Sequence, residues 1–338
     1  MKQSWWKALS GFVLAAMLSV PAWAANTALP GTLNYVEGQA NVGEQSLNAK
    51  QIGSVELQTG QKLYTQTGKA EVLLTPGVFL RLGDNGAAQL VSGNLTNTEA
   101  RLDKGQAMVE VSEIHKDNLL RISSAGATTQ LLKTGLYGFD ADSGAVRVFK
   151  GEALVQAGDQ QVKVKGGHEV DRNTSGQLNS RKFDKKSYEQ SDLYRFSNLR
   201  SEYLAQANVD AARTYYAGGP GWYGPGWYWD PMFTSYTWIP GNGVLYSPFG
   251  WGFYSPGFVS YAPIFYGGRY YSNRWGRSQY YGRNGFGHRP VTAGRPTGPA
   301  IARPANGFRT GAAARPVGAR GGGFQGGSGG FRGSPRPR

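Results

Sequence analysis

The chain has no cysteine, so disulfides, thiolate zinc sites and cysteine nucleophiles are all excluded. Histidine is nearly as scarce: His115, His168 and His288 lie far apart, and none falls in a ligand spacing such as H-E-x-x-H. Between residues 217 and 338 Asp230 stands alone against thirteen arginines, and lysine is absent. Long apolar runs are missing too. Ala8–Val20 is 13 residues long, short of the roughly 18 that a spanning helix needs, and no later segment reaches that length. His115 and the Asp140/Asp142 pair, which precedes Ser143-Gly144, read as turn residues, the ordinary use of such side chains before glycine. No Ser/His/Asp arrangement or phosphate-cradling loop stands out, since Gly219-Pro220-Gly221-Trp222-Tyr223-Gly224 has no strand before it and Pro225 after it. The expectation is a protein without catalytic, cofactor or metal residues.

What is present begins with an address. Lys2 and Lys7 precede the apolar run, Pro21 breaks it, and Ala22-Trp23-Ala24 is a small-x-small cleavage site. This layout predicts a signal peptide over 1–24, a mature chain from Ala25 without a transmembrane segment, and export to the periplasm or cell surface of a bacterium. Residues 25–216 then hold 21 basic and 21 acidic residues, so the excess positive charge belongs to the C-terminal part.

Residues 25–183 read as β structure. Ala107–Val111, Ala145–Phe149 and Gln161–Lys165 alternate apolar and polar positions, which puts one face in a core and the other in water. Glycine-bearing breaks at Thr75-Pro76-Gly77, Gly83–Gly86, Asp142–Gly144 and Lys165–Gly167 punctuate the runs. The fold class expected is mainly β: many short antiparallel strands as a sandwich or short solenoid, then one long helix and a low-complexity, largely disordered C-terminal region. Three stretches echo one another: Tyr35–Val42, Leu102–Val109 and Val148–Val155 each place a polar residue, glycine, another polar residue and alanine in the same order. That predicts a recurring hairpin with an inward alanine.

Gly68–Leu74, Phe79–Asn85, Leu102–Val111 and Ala145–Val155 together resemble the FecR-type periplasmic domain over roughly residues 32–171. Where such domains commonly read Gly-Thr-x-Phe, this chain has Thr134-Gly135-Leu136-Tyr137-Gly138-Phe139. The resemblance implies a non-enzymatic β domain that recognises a protein or ligand, and a link to signalling at a membrane regulator or transporter. In full regulators of that family a membrane helix joins the domain to a cytoplasmic anti-sigma segment. Neither part is legible here, so direct sigma-factor inhibition is not expected.

Residues 184–216 change period. Leu193, Phe196, Arg200, Tyr203, Ala207 and Ala211 recur at helical spacing, with Ser187 and Gln190 as a capping box and Gly218, Gly219 and Pro220 as the stop. This predicts a helix over 188–214 that packs along the β domain. Residues 217–287 form an aromatic Gly/Pro-rich segment; from Tyr215 to Tyr281, 24 of 67 residues are Phe, Tyr or Trp. Tyr246–Pro256 resembles an element that follows FecR-like domains in exported bacterial proteins. Arginine interleaved with rings favours cation–π and stacking contacts, which makes Trp222, Trp227, Trp229, Trp251, Arg269, Arg274, Trp275, Arg277 and Arg283 candidate surface-binding residues. Residues 288–338, with Arg-Pro steps and glycine runs, hold too few apolar side chains to offset chain entropy and read as disordered. The partners expected for this cationic end are envelope polyanions, namely lipopolysaccharide, anionic lipid or polysaccharide, with no specific nucleic acid.

Overall fold

The computed structural model describes residues 28–171, 177–216, 222–266 and 269–271, with backbone alone for 264–266 and 269–271. The expected signal peptide 1–24, the helix stop at 218–220 and the 288–338 tail lie outside the described residues. The first of two compact units runs from Met1 to Ser278 and contains every element described below; the second, Gln279–Arg338, lies outside.

Alternation of apolar and polar residues yields fifteen strands hydrogen-bonded into one sheet. They begin with β1 (Leu33–Val42), β2 (Gln45–Ser46), β3 (Lys62–Thr75), β4 (Val78–Leu82) and β5 (Ala87–Asn94). Next come β6 (Asn97–Lys104), β7 (Gln106–Val111), β8 (Leu119–Ser124), β9 (Ala127–Leu131) and β10 (Gly135–Asp140). β11 (Ala145–Lys150), β12 (Glu152–Ala157), β13 (Gln160–Lys165), β14 (His168–Asp171) and β15 (Ser180–Lys182) complete it. The order is β13-β12-β9-β8-β6-β5-β3-β4-β7-β10-β11-β14-β15, with β1 beside β3 and β2 beside β1. All pairings are antiparallel except β6 with β8.

This sheet folds over on itself, which settles the choice left open by the sequence in favour of a sandwich-like arrangement. One core gathers Leu120, Ile122, Val155 and Val164 from one layer with Val72, Leu80, Val109 and Val148 from the other. The 14-residue β3 crosses between the layers: Lys62–Tyr64 pair with β5, and Ala70–Thr75 pair with β4.

The echoed glycines make these crossings and do not make hairpins, a correction to the sequence reading. β6 and β7 flank Gly105 but pair with different neighbours, and so do β11 and β12 around Gly151. Gly38 sits inside β1, opposite Gly68, at a shift of register. Gly38, Gly105 and Gly151 all have positive φ, and a β-carbon on Gly151 would lie 2.3 Å from the Tyr137 hydroxyl. Glycine alone takes such a corner cheaply. The alanines next in the echo, Ala40, Ala107 and Ala153, are buried as expected.

The layer holding β4, β7 and β10 is buried on both faces. Its outer face carries Leu73, Phe79, Met108, Leu136 and Phe149, covered by the helices and hairpins C-terminal to the sheet. Helix α1 (Lys185–Glu189) is capped by Asp184, whose Oδ1 accepts the Lys186 N–H at 3.0 Å. Helix α2 (Asp192–Tyr216) starts afresh, with Ser191 Oγ accepting the Tyr194 N–H at 3.3 Å. The expected single helix with a Ser187/Gln190 box is therefore two helices, because the side chains of Asp184 and Ser191 satisfy the free N–H groups of two separate starts.

α2 spans about 37 Å at 1.5 Å per residue and is buried on more than one side. Leu193, Phe196, Arg200, Ala207 and Ala211 face inward as the periodicity requires. Tyr203 is exposed and Leu204 takes its inward place. The far side of α2 is covered by two hairpins, β16 (Gly226–Asp230) with β17 (Ser235–Ile239) and β18 (Val244–Tyr246) with β19 (Gly252–Tyr254). Trp238, Ile239, Phe253 and Val259 are buried there. A last pair, β20 (Ile264–Tyr266) with β21 (Arg269–Tyr271), ends the described chain.

Candidate functional site

Four charges meet under α2. Arg81 on β4 donates from Nε to Glu71 on β3 (2.7 Å) and from Nη1 to Glu110 on β7 (2.6 Å), and all three side chains are inaccessible to solvent. Register explains the first contact, since Arg81 is the cross-strand partner of Glu71. α2 adds Arg200, whose Nη2 reaches Glu71 at 2.9 Å, and Ser201, whose hydroxyl donates to Glu110 at 2.8 Å. Arg200 lies 4.4 Å from the centre of the Tyr35 ring. Burial alone would raise the Glu71 carboxyl, but the Arg200 and Arg81 guanidiniums outweigh it and hold it below the usual carboxylate range. Two arginines and two glutamates neutralise one another, which is what allows ions to stay in a core.

Two asparagines extend this clasp to the aromatic segment. Asn34 Nδ2 donates to Glu71 Oε1 and to the Tyr236 carbonyl, both at 2.9 Å, while Asn34 Oδ1 accepts the Tyr236 N–H at 2.7 Å. Asn208 on α2 donates to the Trp238 carbonyl (2.9 Å) and the Tyr254 carbonyl (3.0 Å) and accepts the Tyr254 N–H (2.7 Å). Each side chain serves as a short piece of strand, donating to and accepting from the backbone of the hairpins. The Lys150 ammonium also donates to the Pro248 carbonyl. Residues 222–263 are thus bolted to the β domain and to α2.

The candidate surface residues divide accordingly. Trp227 is a core residue and not a surface contact: it is 9% exposed and packs edge-on against Phe79 with ring centres 5.1 Å apart. Trp222 is half-buried and stacks on Tyr228 at 5.5 Å. Trp251 is half-buried, and its indole N–H donates to Asn198 Oδ1 at 3.0 Å. Trp229 remains exposed, edge-on to Tyr236. Arg269 lies in β21 with only its backbone described; Arg274, Trp275, Arg277 and Arg283 fall outside the described residues.

The structure also leaves apolar side chains exposed that the sequence reading missed. Leu199 and Tyr203 on α2 and Met232 in the β16–β17 turn are all exposed, and the Tyr203 ring lies 6.2 Å from Phe233. Helical spacing could have shown that Leu199 and Tyr203 share a ridge, but not which side of α2 the hairpins cover.

Two of the groups weighed for catalysis sit as follows. Asp140 Oδ1 accepts the N–H groups of Asp142 and Ser143, the turn role expected of it. His115 sits in a loop where its carbonyl accepts the Asn118 N–H. Among the described residues no three His, Asp or Glu side chains are grouped as metal ligands, and no helix is long and apolar enough to cross a membrane.

The described chain is a folded-over β sheet clamped by a helix, with its buried charges paired to one another. Residues 55–154 match the family model described as FecR protein, so the chain carries a FecR domain. No curated protein matches the chain. Two similar solved structures, at 2.50 and 1.65 Å, are both of a candidate anti-sigma factor from Parabacteroides distasonis ATCC 8503. They share 16% and 15% identity, cover 38% of this chain and 62% of theirs, and have a TM-score of 0.34. The likeness thus spans less than two thirds of those chains, and one so slight carries nothing about function here.

Proposed function

We propose that this protein is an exported, non-catalytic binding module of the bacterial envelope. Its FecR domain, α2 and the hairpins of 222–263 form a rigid head that engages a protein. Its arginine-bearing end adheres to lipopolysaccharide, anionic lipid or acidic polysaccharide. The observation that carries this reading is the division of charge: residues 25–216 are balanced, whereas thirteen arginines face one aspartate beyond them. Such a segment attracts any polyanion, and the attraction weakens as salt screens it.

The clasp decides how to test this. Removing 217–338 would strip Trp227, Trp238 and Phe253 from the core and unfold the head. Truncation after Ser278 keeps the first unit intact and removes ten of the thirteen arginines. The truncated protein should leave the envelope fraction for the soluble periplasmic fraction, while the full chain leaves it only on raising salt to about 0.5 M. Equal retention of both forms would refute adhesion by the tail.

The FecR match favours a second reading, a periplasmic signalling component whose head docks a membrane regulator or transporter through exposed apolar side chains such as Met232. A photocrosslinker at Met232 should then capture that membrane protein in intact cells. Labelling of lipid or glycan alone would count against it.

A further inference from the structure

A second groove on the head has no part in the clasp. It lies at the corner where β3, β5 and β6 turn between layers, has a volume of about 490 Å³, and is lined by Asn41, Tyr64, Gln66, Asn85, Ala87 and Lys104. Pockets for small ligands fall in the same range, but this one is an open trough suited to a chain lying along it.

The trough is rigidly built. Thr65 is buried beneath it: its hydroxyl donates to the Gly83 carbonyl (2.5 Å) and accepts the Gly86 N–H (2.9 Å), and its own N–H donates to the Gly86 carbonyl (2.9 Å). The Asn85 N–H donates to the Gln66 carbonyl at 2.8 Å. Asn85 is held in the left-handed region at φ 53°, unusual for a residue other than glycine. Gly105 closes the corner so tightly that a β-carbon there would lie 2.9 Å from the Asn85 carbonyl oxygen.

On this frame the surface chemistry is mixed in a particular way. Tyr64 is exposed, with its ring at the trough. The Gln66 and Asn85 amides and the Lys104 ammonium are exposed and make no ion pair or side-chain hydrogen bond to other described residues. An aromatic face stacks on the C–H face of a sugar ring, amides both donate to and accept from hydroxyls, and an ammonium meets a carboxylate.

We propose that the Tyr64–Gln66–Asn85–Lys104 trough binds an acidic glycan, with one sugar ring on Tyr64, neighbouring hydroxyls on the two amides and a sugar carboxylate at Lys104. This site belongs to the head and is independent of adhesion by the arginine-bearing end.

The test uses the full mature chain in about 0.5 M salt, which suppresses long-range attraction by the arginines. Titration calorimetry with a hexameric oligogalacturonate and with neutral cellohexaose supplies the two arms. Saturable binding of the acidic hexamer is expected. Tyr64→Ala should weaken it about tenfold or more, the loss of one good contact, while Tyr64→Phe, which keeps the ring, should bind nearly as the parent does. Lys104→Gln should weaken the acidic hexamer and leave the weaker neutral one unchanged. All four side chains are exposed, so unchanged melting temperatures will separate lost binding from lost fold. Absence of saturable binding, or binding indifferent to Tyr64→Ala and Gln66→Ala, would overturn the proposal.

Discussion

Arg81 donates to two carboxylates at once, and all three groups lie in a core from which water is excluded. Breaking such a set by removing one partner costs more than the set contributes, because a charge is left buried alone. Arg81→Met should therefore destabilise the head by about 3–5 kcal/mol in urea unfolding; a loss below about 1 kcal/mol would show that the cluster is hydrated. Acid acts on the same cluster. The Glu71 carboxyl is held below its unfolded value, so the stability it provides is complete above the unfolded carboxylate range, near pH 4.3, and is lost as pH falls towards the folded value. Glu71→Gln should lower stability at pH 7 and flatten the acid limb of a stability–pH profile. An acid limb as steep as the parent's would assign that dependence to other carboxylates.

At the scale of elements, corners and side-chain strands matter most. Gly151 turns the chain from β11 into β12 against the Tyr137 hydroxyl, and burial pushes that phenol up to about 12. Gly151→Ala places a β-carbon in the same space at a positive φ, and should cost about 1–3 kcal/mol from backbone strain alone. Unchanged thermal unfolding would mean that the corner relaxes. Asn208→Ala would remove three hydrogen bonds to the Trp238 and Tyr254 backbone, each worth about 0.5–1.5 kcal/mol. A urea midpoint unmoved by that change would mean that the hairpins do not depend on α2.

These elements also show what could be read in advance. Alternation alone located β7, β11 and β13 and predicted which alanines turn inward. It could not tell a hairpin from a corner, because a positive-φ glycine between polar residues serves both, and partner choice is decided by strands far away in the chain. The helical period was legible, yet nothing nearby showed why a charged Arg200 belongs on its inward face, because Glu71, its counter-ion, lies 129 positions earlier. The trough was not legible at all. Tyr64, Gln66, Asn85 and Lys104 come together only through the fold, and each alone reads as an ordinary surface residue.

For the molecule as a whole, the aromatic-rich chain divides between two roles. Ring count alone reads the same for a core and for an adhesive surface; what separates them here is the pair of asparagines that fix 222–263 in place. A chain ending before Trp222 should expose Phe79 and Leu204 and aggregate, whereas one ending at Ser278 should stay monodisperse in size-exclusion chromatography. The reverse result would place the fold boundary elsewhere. Charge respects the same division: acidic and basic residues are equal in number over 25–216, and the arginines beyond have no acidic neighbours in sequence.

If the FecR domain, α2 and the aromatic hairpins unfold as one body, native-state hydrogen exchange will give them one opening free energy. The Tyr236 and Tyr254 amides, each donating to a buried asparagine, should share the opening free energy of Val109 in the centre of β7. Exchange at those two amides faster by orders of magnitude, with Val109 still protected, would show that the hairpins are a separate flap and not part of the head.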